Sequence, residues 1–203
     1  MGIISPQKTP QRFWQRVARA LAKVTGWTLV DKRPPTKKYV LIGAPHTTNW
    51  DLYTAMIIML GLGIQPRWVG KASLFKGFRG PPMRFLGGIP VRRDVRQNFV
   101  AQIVEKFNTS DELVITIAPE GTRKNTEYWK SGFYYIALGA NVPIAMGFVD
   151  YPTKTCGIGG YFTPTGDIEA DIQILADFYT GLRGKYPKKQ GEVRLRPKQA
   201  QEQ

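Results

Sequence analysis

The sequence contains one cysteine and one histidine in 203 residues, Cys156 and His46. A single cysteine excludes a disulfide within the chain, and the two residues together supply too few of the usual ligands for a zinc centre. We therefore expect no metal catalysis through histidine and cysteine. The lone thiol agrees with a reducing compartment, so we expect a cytoplasmic protein.

Long hydrophobic runs are also missing. A helix that crosses a bilayer needs about 20 consecutive apolar residues, and the longest candidate, Leu52 to Ile64, contains a threonine and two glycines. The first ten residues, MGIISPQKTP, are too short and too interrupted by proline to form the apolar part of a secretory signal. We expect no membrane-spanning helix.

Three motifs of common enzyme classes are absent. The sequence has no G-x-S-x-G elbow for a nucleophilic serine, and Cys156 has no second histidine to activate it. It also lacks the G-x-G-x-x-G and P-loop patterns, since Gly157, Gly159 and Gly160 follow neither spacing. We therefore expect no covalent intermediate on a serine or the cysteine and no bound nucleotide cofactor.

The net charge of +14 is concentrated at the two ends of the chain. Residues 1–38 carry nine lysines or arginines against one acid, and residues 183–203 carry seven against two, which leaves +1 for residues 39–182. Basic flanks around a near-neutral body favour docking on an anionic membrane surface over binding to a nucleic-acid duplex. Solvated basic tails are the alternative explanation.

Residues 11–24 have the pattern of a basic amphipathic helix. Apolar side chains recur at helical spacing, and four cations lie largely on the other side. The apolar residues are Phe13, Trp14, Val17, Leu21 and Val24. Such a helix is able to lie in the headgroup region of a membrane without crossing it, although an ordinary helix packed on a core has a similar pattern.

From Tyr39 onward, short apolar strands alternate with helices. YVLIGA, RWVG, GGIPV, ELVITIA and VPIAMGFV are predicted strands, and helices are predicted over Asp51 to Gly63, Gln97 to Phe107, Trp129 to Leu138 and Asp167 to Leu182. This order predicts an α/β fold with a mostly parallel central sheet flanked by helices. We divide the chain into an N-terminal helix and linker (1–37), one domain (38–185) and a basic, polar C-terminal tail (186–203) that frays.

His46 lies in PHTTNWD, between a predicted strand and a predicted helix, with Asp51 five positions later. A carboxylate that holds one imidazole nitrogen as a donor leaves the other nitrogen as a base. Five residues of continuous helix would point the two side chains apart, so the pairing requires a turn between them. A structural histidine is the alternative.

Two further segments carry candidate phosphate ligands. APEGTR, residues 118–123, places Gly121, Thr122 and Arg123 after a predicted strand, and Glu120 is able to fix a turn or bind a polyol. GGIPVRR, residues 87–93, ends a short strand with Arg92 and Arg93. Each segment alone is equally compatible with an ordinary turn or a solvated edge.

Taken together, these segments resemble the glycerolipid acyltransferase family. Its H-x4-D box falls on His46 and Asp51, its G-x-[IV]-x-[IV]-x-R block on Gly87 to Arg93, and its F-P-E-G-T-R block on Pro119 to Arg123. A weaker V-P-[IV] block falls on Val142 to Ile144. The sequence departs from the family pattern at Ala118, Pro90 and Met146, which puts the exact substrate in doubt rather than the reaction class.

The resemblance implies a layered acyltransferase domain associated with membranes and active in phospholipid biosynthesis. His46 is then the general base, and Asp51 orients it. Arg93, Glu120, Gly121, Thr122 and Arg123 are implied ligands of the acceptor's phosphate and glycerol, and Lys71 is a further candidate for the phosphate or thioester site. The apolar segment Leu52 to Ile64 is either a wall for the acyl chain or a core helix.

The reaction implied is transfer of a fatty acyl group from acyl-CoA or acyl-carrier protein to a lysophospholipid, 1-acyl-sn-glycerol-3-phosphate in first place, which gives phosphatidic acid. Another acceptor, such as a lyso-ornithine lipid, remains open. Two rival hypotheses are a lipid or thioester hydrolase and a non-catalytic basic binding module. We expect no cofactor besides the thioester co-substrate and no nucleic-acid partner.

Overall fold

A computed structural model describes residues 11–48, 50–65, 67–85, 87–91 and 96–197. Six α-helices in this part of the chain are α1 (Gln11–Val24), α2 (Trp50–Leu62), α3 (Gly80–Phe85), α4 (Arg96–Asn108), α5 (Gly132–Ala140) and α6 (Ile168–Tyr179). The strands are β1 (Thr28–Asp31), β2 (Lys38–Ala44), β3 (Arg67–Lys71), β4 (Gly88–Val91), β5 (Leu113–Ile117), β6 (Ile144–Asp150) and β7 (Thr155–Phe162). Short 3₁₀ turns cover Ala72–Phe75, Gly77–Arg79 and Pro187–Lys189.

The strands form one sheet in the order β1-β7-β6-β2-β5-β3-β4. Every neighbouring pair is parallel except β6 and β7. The interior strand β6 is buried along its whole length, as expected when helices cover both faces of a parallel sheet. The predicted α/β fold with a mostly parallel sheet is therefore confirmed.

The pairing of β2 with β5 brings two sequence-distant loops together. Ile42 on β2 lies opposite Ile117 on β5 in a parallel ladder. The chain therefore leaves both strands at the same edge of the sheet. His46 comes four residues after Ile42, and Glu120 comes three residues after Ile117, so the two loops with candidate catalytic residues are neighbours.

Two strands were missed by the sequence analysis, and one helix starts later than predicted. β1 lies within the stretch assigned to the N-terminal helix and linker, and it pairs with β7. β7 contains three glycines, which weaken a strand pattern. Helix α5 begins at Gly132 rather than Trp129, because the N–H of Trp129 donates to the carbonyl of Arg194 and Trp129 bridges to Leu195.

Helix α1 packs on the body of the protein through small side chains. Ala18 is 4% exposed and Ala22 is buried as well, while Phe13 is 63% exposed and Val24 is 86% exposed. The guanidinium of Arg19 donates to the carbonyl of Gly61 on α2 at 2.7 Å. The helix thus packs on the core and also presents large apolar side chains to the outside.

Helix α2 follows the loop of the sole histidine and is partly a core helix. Ile58 and Met59 are buried in a cluster on one face of the sheet, whereas Leu60 is exposed. Among the helices in the described ranges, none combines the length and the apolar character that are needed to traverse a bilayer.

The chain beyond Lys185 does not fray as expected, at least through residue 197. Residues 183–196, which we call the C-terminal strap, run from the loop after β2 to the loop before α5. Gly184 packs against Pro45 and Thr47 near one end of the strap, and Trp129 bridges to Leu195 near the other. Main-chain pairing and close packing therefore hold this polar segment in place.

Candidate active site

The loop between β2 and α2 turns back on itself and brings Asp51 to His46. Strand β2 ends at Ala44, a cis peptide joins Ala44 to Pro45, and α2 begins at Trp50. In this turn Nδ1 of His46 lies 3.3 Å from Oδ2 of Asp51. The turn that the sequence spacing required is present.

Asp51 is fixed by several donors. Its Oδ2 accepts hydrogen bonds from the main-chain N–H groups of Thr47 (2.7 Å) and Thr48 (2.8 Å), and its Oδ1 accepts one from the hydroxyl of Tyr151 (3.2 Å). Tyr151 follows β6 and was missed by the sequence analysis, because no local pattern links it to a residue 100 positions earlier.

The carboxyl group of Asp51 is kept ionised by these contacts. Its side chain is 7% exposed. Burial alone would raise the pKa of Asp51, but the hydrogen bonds from His46, Thr48 and Thr47 outweigh burial and hold the pKa below its ordinary value. A buried, charged carboxylate therefore faces one nitrogen of the imidazole.

His46 remains accessible from outside, since 28% of its side chain is exposed. With Nδ1 directed at a carboxylate, Nδ1 is the nitrogen that carries a proton, and Nε2 is left with a lone pair. The pair has the geometry of an oriented base and is able to accept a proton from a hydroxyl group or from water.

Glu120 is packed behind the histidine rather than displayed on the surface. It is 2% exposed, and its Oε1 accepts a hydrogen bond from the main-chain N–H of His46 at 3.0 Å. Its Oε2 has no hydrogen-bond partner within the described residues. Burial raises the pKa of Glu120 to about 7. This position fits support of the loop that contains His46 better than the polyol contact that the motif suggested.

Gly121, Thr122 and Arg123 continue from Glu120 into a tight, exposed turn. Gly121 has a φ of +64°, a conformation that favours glycine. The hydroxyl of Thr122 accepts from the main-chain N–H of Lys124 at 3.2 Å, and Arg123 is exposed. The guanidinium of Arg123 therefore belongs to a turn that begins next to the buried Glu120.

Lys130 is a candidate cation that the sequence analysis missed. A Cβ added to Gly121 would lie 2.7 Å from Nζ of Lys130, so the lysine side chain lies over this glycine. The main-chain N–H of Lys130 also donates to the carbonyl of Pro119 at 2.9 Å. The absence of a side chain at Gly121 leaves room for the ammonium beside the turn of Thr122 and Arg123.

The structure does not describe the side chains of two predicted ligands, Arg93 and Lys71. Arg93 lies outside the described residues, which stop at Val91 on this side and resume at residue 96. Lys71 is the last residue of β3, where its backbone pairs with Val91 of β4. The predictions for Arg93 and Lys71 therefore stay predictions.

The C-terminal strap closes against the histidine loop. A Cβ on Gly184 would lie 2.9 Å from Cγ2 of Thr47 and 3.1 Å from Cγ of Pro45, so only glycine permits this approach. The main-chain N–H of Tyr186 donates to the hydroxyl of Thr47 at 3.3 Å. Thr47 in turn donates to Asp51 through its own N–H, so the strap contacts the residue next to His46.

Comparison with known proteins gives a family and a fold. A model of the family described as Acyltransferase matches residues 13–147, more than half of the chain. The crystal structure of the 1-acyl-sn-glycerophosphate (LPA) acyltransferase PlsC from Thermotoga maritima is similar, with 17% sequence identity and a TM-score of 0.53, and the match covers 83% of this chain and 75% of that chain. At that identity the likeness shows a shared fold. No match was found among curated proteins.

Proposed function

Because the chain belongs to the acyltransferase family, we propose that it moves a fatty acyl group from acyl-CoA or acyl-carrier protein to a hydroxyl of a lysophospholipid. The preferred acceptor is 1-acyl-sn-glycerol-3-phosphate, and the product is phosphatidic acid. The observation that carries the proposal is the approach of His46 to the buried Asp51 at 3.3 Å, in the loop where the family's H-x4-D box falls.

The proposed reaction is a direct transfer. Nε2 of His46 takes the proton of the acceptor hydroxyl while that oxygen attacks the thioester carbonyl carbon. The tetrahedral intermediate then collapses, the C–S bond breaks, and the imidazolium returns its proton to the leaving thiolate. Asp51 stabilises the positive charge that His46 carries between these steps. An enzyme nucleophile is not needed.

The acceptor's phosphate is proposed to bind at the turn after Glu120. Arg123 and Lys130 supply positive charge there, and a guanidinium is suited to bind phosphate through two parallel hydrogen bonds. Arg93 and Lys71 complete the proposed phosphate site. The strand ladder between β2 and β5 puts this turn beside the histidine loop, so a phosphate held there leaves a nearby glycerol hydroxyl within reach of the base.

The enzyme is proposed to act at the cytoplasmic face of an anionic membrane. Phe13 and Val24 of α1 are exposed, and the same helix carries cations and no acid. Apolar side chains beside cations suit an interfacial helix, which inserts shallowly and is attracted by anionic lipids. The enzyme then meets substrates with long acyl chains at the membrane in which they are dissolved.

The proposal is tested by incubating the purified protein with acyl-CoA or acyl-carrier protein and a panel of lysolipids, and by identifying the products by mass. We expect phosphatidic acid from lysophosphatidic acid, and a loss of turnover by a factor of about 10² to 10⁴ in His46→Ala. The variant should remain folded, with some loss of stability because the buried Asp51 loses one hydrogen-bond donor.

Three results would reject parts of this assignment. Turnover of His46→Ala near the wild-type level would remove the histidine from catalysis. Release of free fatty acid at the same rate with and without acceptor would identify a hydrolase. Transfer to a lyso-ornithine lipid in preference to lysophosphatidic acid would keep the reaction class and replace the acceptor.

A further inference from the structure

The C-terminal strap carries an exposed group of cations that the proposed mechanism does not use. Between Asp177 and Glu192 the sequence has four cations and no acid, and three of the four are Lys185, Lys188 and Lys189. All three side chains are exposed, and none has an ion-pair partner among the described residues. The strap also lies beyond the segment that matches the family.

Two of these lysines lie close to aromatic rings beside the loop that contains His46. Nζ of Lys185 lies 5.5 Å from the centre of the Trp50 ring, at the start of α2, and Nζ of Lys189 lies 4.8 Å from that of Tyr186. Such contacts are weak at exposed sites. They orient the ammonium groups and leave N–H donors available for an anion.

We infer that Lys185, Lys188 and Lys189 bind the phosphate groups of the acyl donor. This inference rests on the proposed function, since both proposed donors carry the acyl group on a phosphorylated pantetheine arm. The arm holds the phosphate at a distance from the thioester. A donor whose carbonyl lies at His46 therefore places its phosphate outside the catalytic pair, toward the rim of the site.

The position of the strap favours the donor over the acceptor. Arg123 and Lys130 of the proposed acceptor site follow β5, whereas Gly184 and Tyr186 of the strap pack on Thr47 in the loop after β2. Direct transfer requires two anionic substrates to meet at one base. Two separate groups of cations, one after β5 and one on the strap, let both bind at once without competing for the same charges.

The strap is also a better match for a soluble anion than for a lipid surface. The side chains that we propose for membrane contact, Phe13 and Val24, lie on α1, which is followed by the edge strand β1. The strap instead reaches the loop after β2, the central strand of the sheet, where Lys185 lies beside Trp50 and Tyr186 contacts Thr47.

The test removes the three charges together. In the variant Lys185→Ala, Lys188→Ala, Lys189→Ala we expect the Kd for coenzyme A, measured by calorimetry, to rise about 10-fold or more. A tenfold rise corresponds to a loss of about 1.4 kcal/mol of binding free energy. KM for the acyl donor should rise in parallel, while KM for the lysolipid stays within about twofold. The matched control replaces Lys32, Lys37 and Lys106, which are also exposed, by alanine and should leave both constants unchanged.

A second probe, 4′-phosphopantetheine, identifies the phosphate that is bound. Weaker binding of both probes assigns the phosphate of the pantetheine arm, and weaker binding of coenzyme A alone assigns its nucleotide phosphates. Unchanged affinity for both probes overturns the inference. Loss of binding to phosphatidylglycerol vesicles with unchanged coenzyme A affinity also overturns the inference, because the lysines would then bind membrane lipids.

The calorimetric measurement needs no turnover, so its outcome is separate from that of the proposed function. If the wild type transfers acyl groups and the triple variant keeps its donor affinity, only the inference about the strap fails. If the wild type transfers nothing but binds coenzyme A through these lysines, the proposed acceptor chemistry fails and the donor site stands.

Discussion

The buried carboxyl group of Glu120 accepts a hydrogen bond from the main-chain N–H of His46, although the two residues are 74 positions apart. This contact joins the loop after β2 to the loop after β5 directly behind the imidazole. Asp51 orients the histidine ring on one side, and Glu120 fixes its backbone on the other. The position of the proposed base therefore depends on two carboxyl groups with opposite pKa shifts.

The first prediction concerns Glu120→Gln, which keeps an oxygen acceptor for His46 and removes the titration. Burial raises the pKa of Glu120 to about 7 from 4.5. The folded state therefore holds a proton that the unfolded state releases, and the wild type loses stability as pH rises from about 4.5 to 7. Relative to the wild type, the variant should gain up to about 3 kcal/mol over that range.

Urea unfolding at a series of pH values measures this gain. Glu112→Gln is the matched control, because Glu112 is exposed and pairs with Lys37 on the surface. A constant difference in stability between Glu120→Gln and the wild type from pH 4.5 to 7 would contradict the raised pKa.

The second prediction concerns Asp51→Asn. The pKa of Asp51 is held below its ordinary value of 3.8, so its charge stabilises the folded state above that pH, and the stabilisation is lost as pH falls through the folded pKa. We expect the variant to be less stable by about 1–3 kcal/mol near neutral pH, with a gap that closes in acid. Turnover should also fall, since the imidazole loses its partner.

The control for this variant is Asp111→Asn, which removes an exposed carboxylate ahead of β5. It should leave both turnover and stability near the wild-type values. Wild-type turnover in Asp51→Asn would mean that the ring of His46 is oriented by other groups.

The third prediction concerns Lys130→Met and separates phosphate binding from catalysis. Since Lys130 lies over Gly121 beside Arg123, its removal should raise KM for lysophosphatidic acid about 10-fold. KM for a monoacylglycerol, which has no phosphate, should not change. Lys124→Met removes a charge from the same turn without this contact, and equal effects of the two variants would argue against a specific role of Lys130.

The fourth prediction concerns Gly184→Ala. The added Cβ would lie within 3.1 Å of both Thr47 and Pro45, so the strap or the histidine loop must shift. Overpacking of this kind costs about 1–3 kcal/mol, and we expect lower stability together with a lower kcat. In Gly132→Ala the new Cβ meets only Phe99 at 3.9 Å. That control should retain kcat, and a Gly184→Ala enzyme with unchanged kcat would separate the strap from catalysis.

The fifth prediction concerns membrane binding by α1. Phe13→Ala with Val24→Ala should weaken binding to vesicles of phosphatidylcholine and phosphatidylglycerol about 10-fold or more, because burying a large apolar side chain contributes about 1.5–3 kcal/mol. Both side chains are exposed, so folding stability should persist. Phe85→Ala, at an exposed site near the opposite edge strand β4, is the control. Equal loss of binding in the control would mean that α1 is not the principal contact.

Local patterns were sufficient to predict most of the sheet. Strands such as β5 and β6 are mostly apolar, and Asp167, just before helix α6, accepts a hydrogen bond from the N–H of Ala170, as the acidic start of this helix indicated. β1 was missed because four residues next to a proline-rich linker carry little signal. β7 was missed because its glycines mask the pattern.

The site was predictable only where its residues are close in sequence. The turn between His46 and Asp51 followed from their spacing, and the structure has it. The burial of Glu120 and the contacts of Tyr186 were not predictable, because they arise from pairing of distant segments. A motif identifies residue types in order, whereas the depth of each side chain depends on the strands that surround it.

The C-terminal strap is synthesised later than the loop that it contacts. Tyr186 contacts Thr47 across 139 positions, so the loop with His46 leaves the ribosome long before the segment that braces it. During translation, β2 and α2 are able to form while this loop is still unbraced, since contacts between distant segments are made late in folding. A released chain truncated after residue 182 should therefore fold with the loop of His46 unbraced.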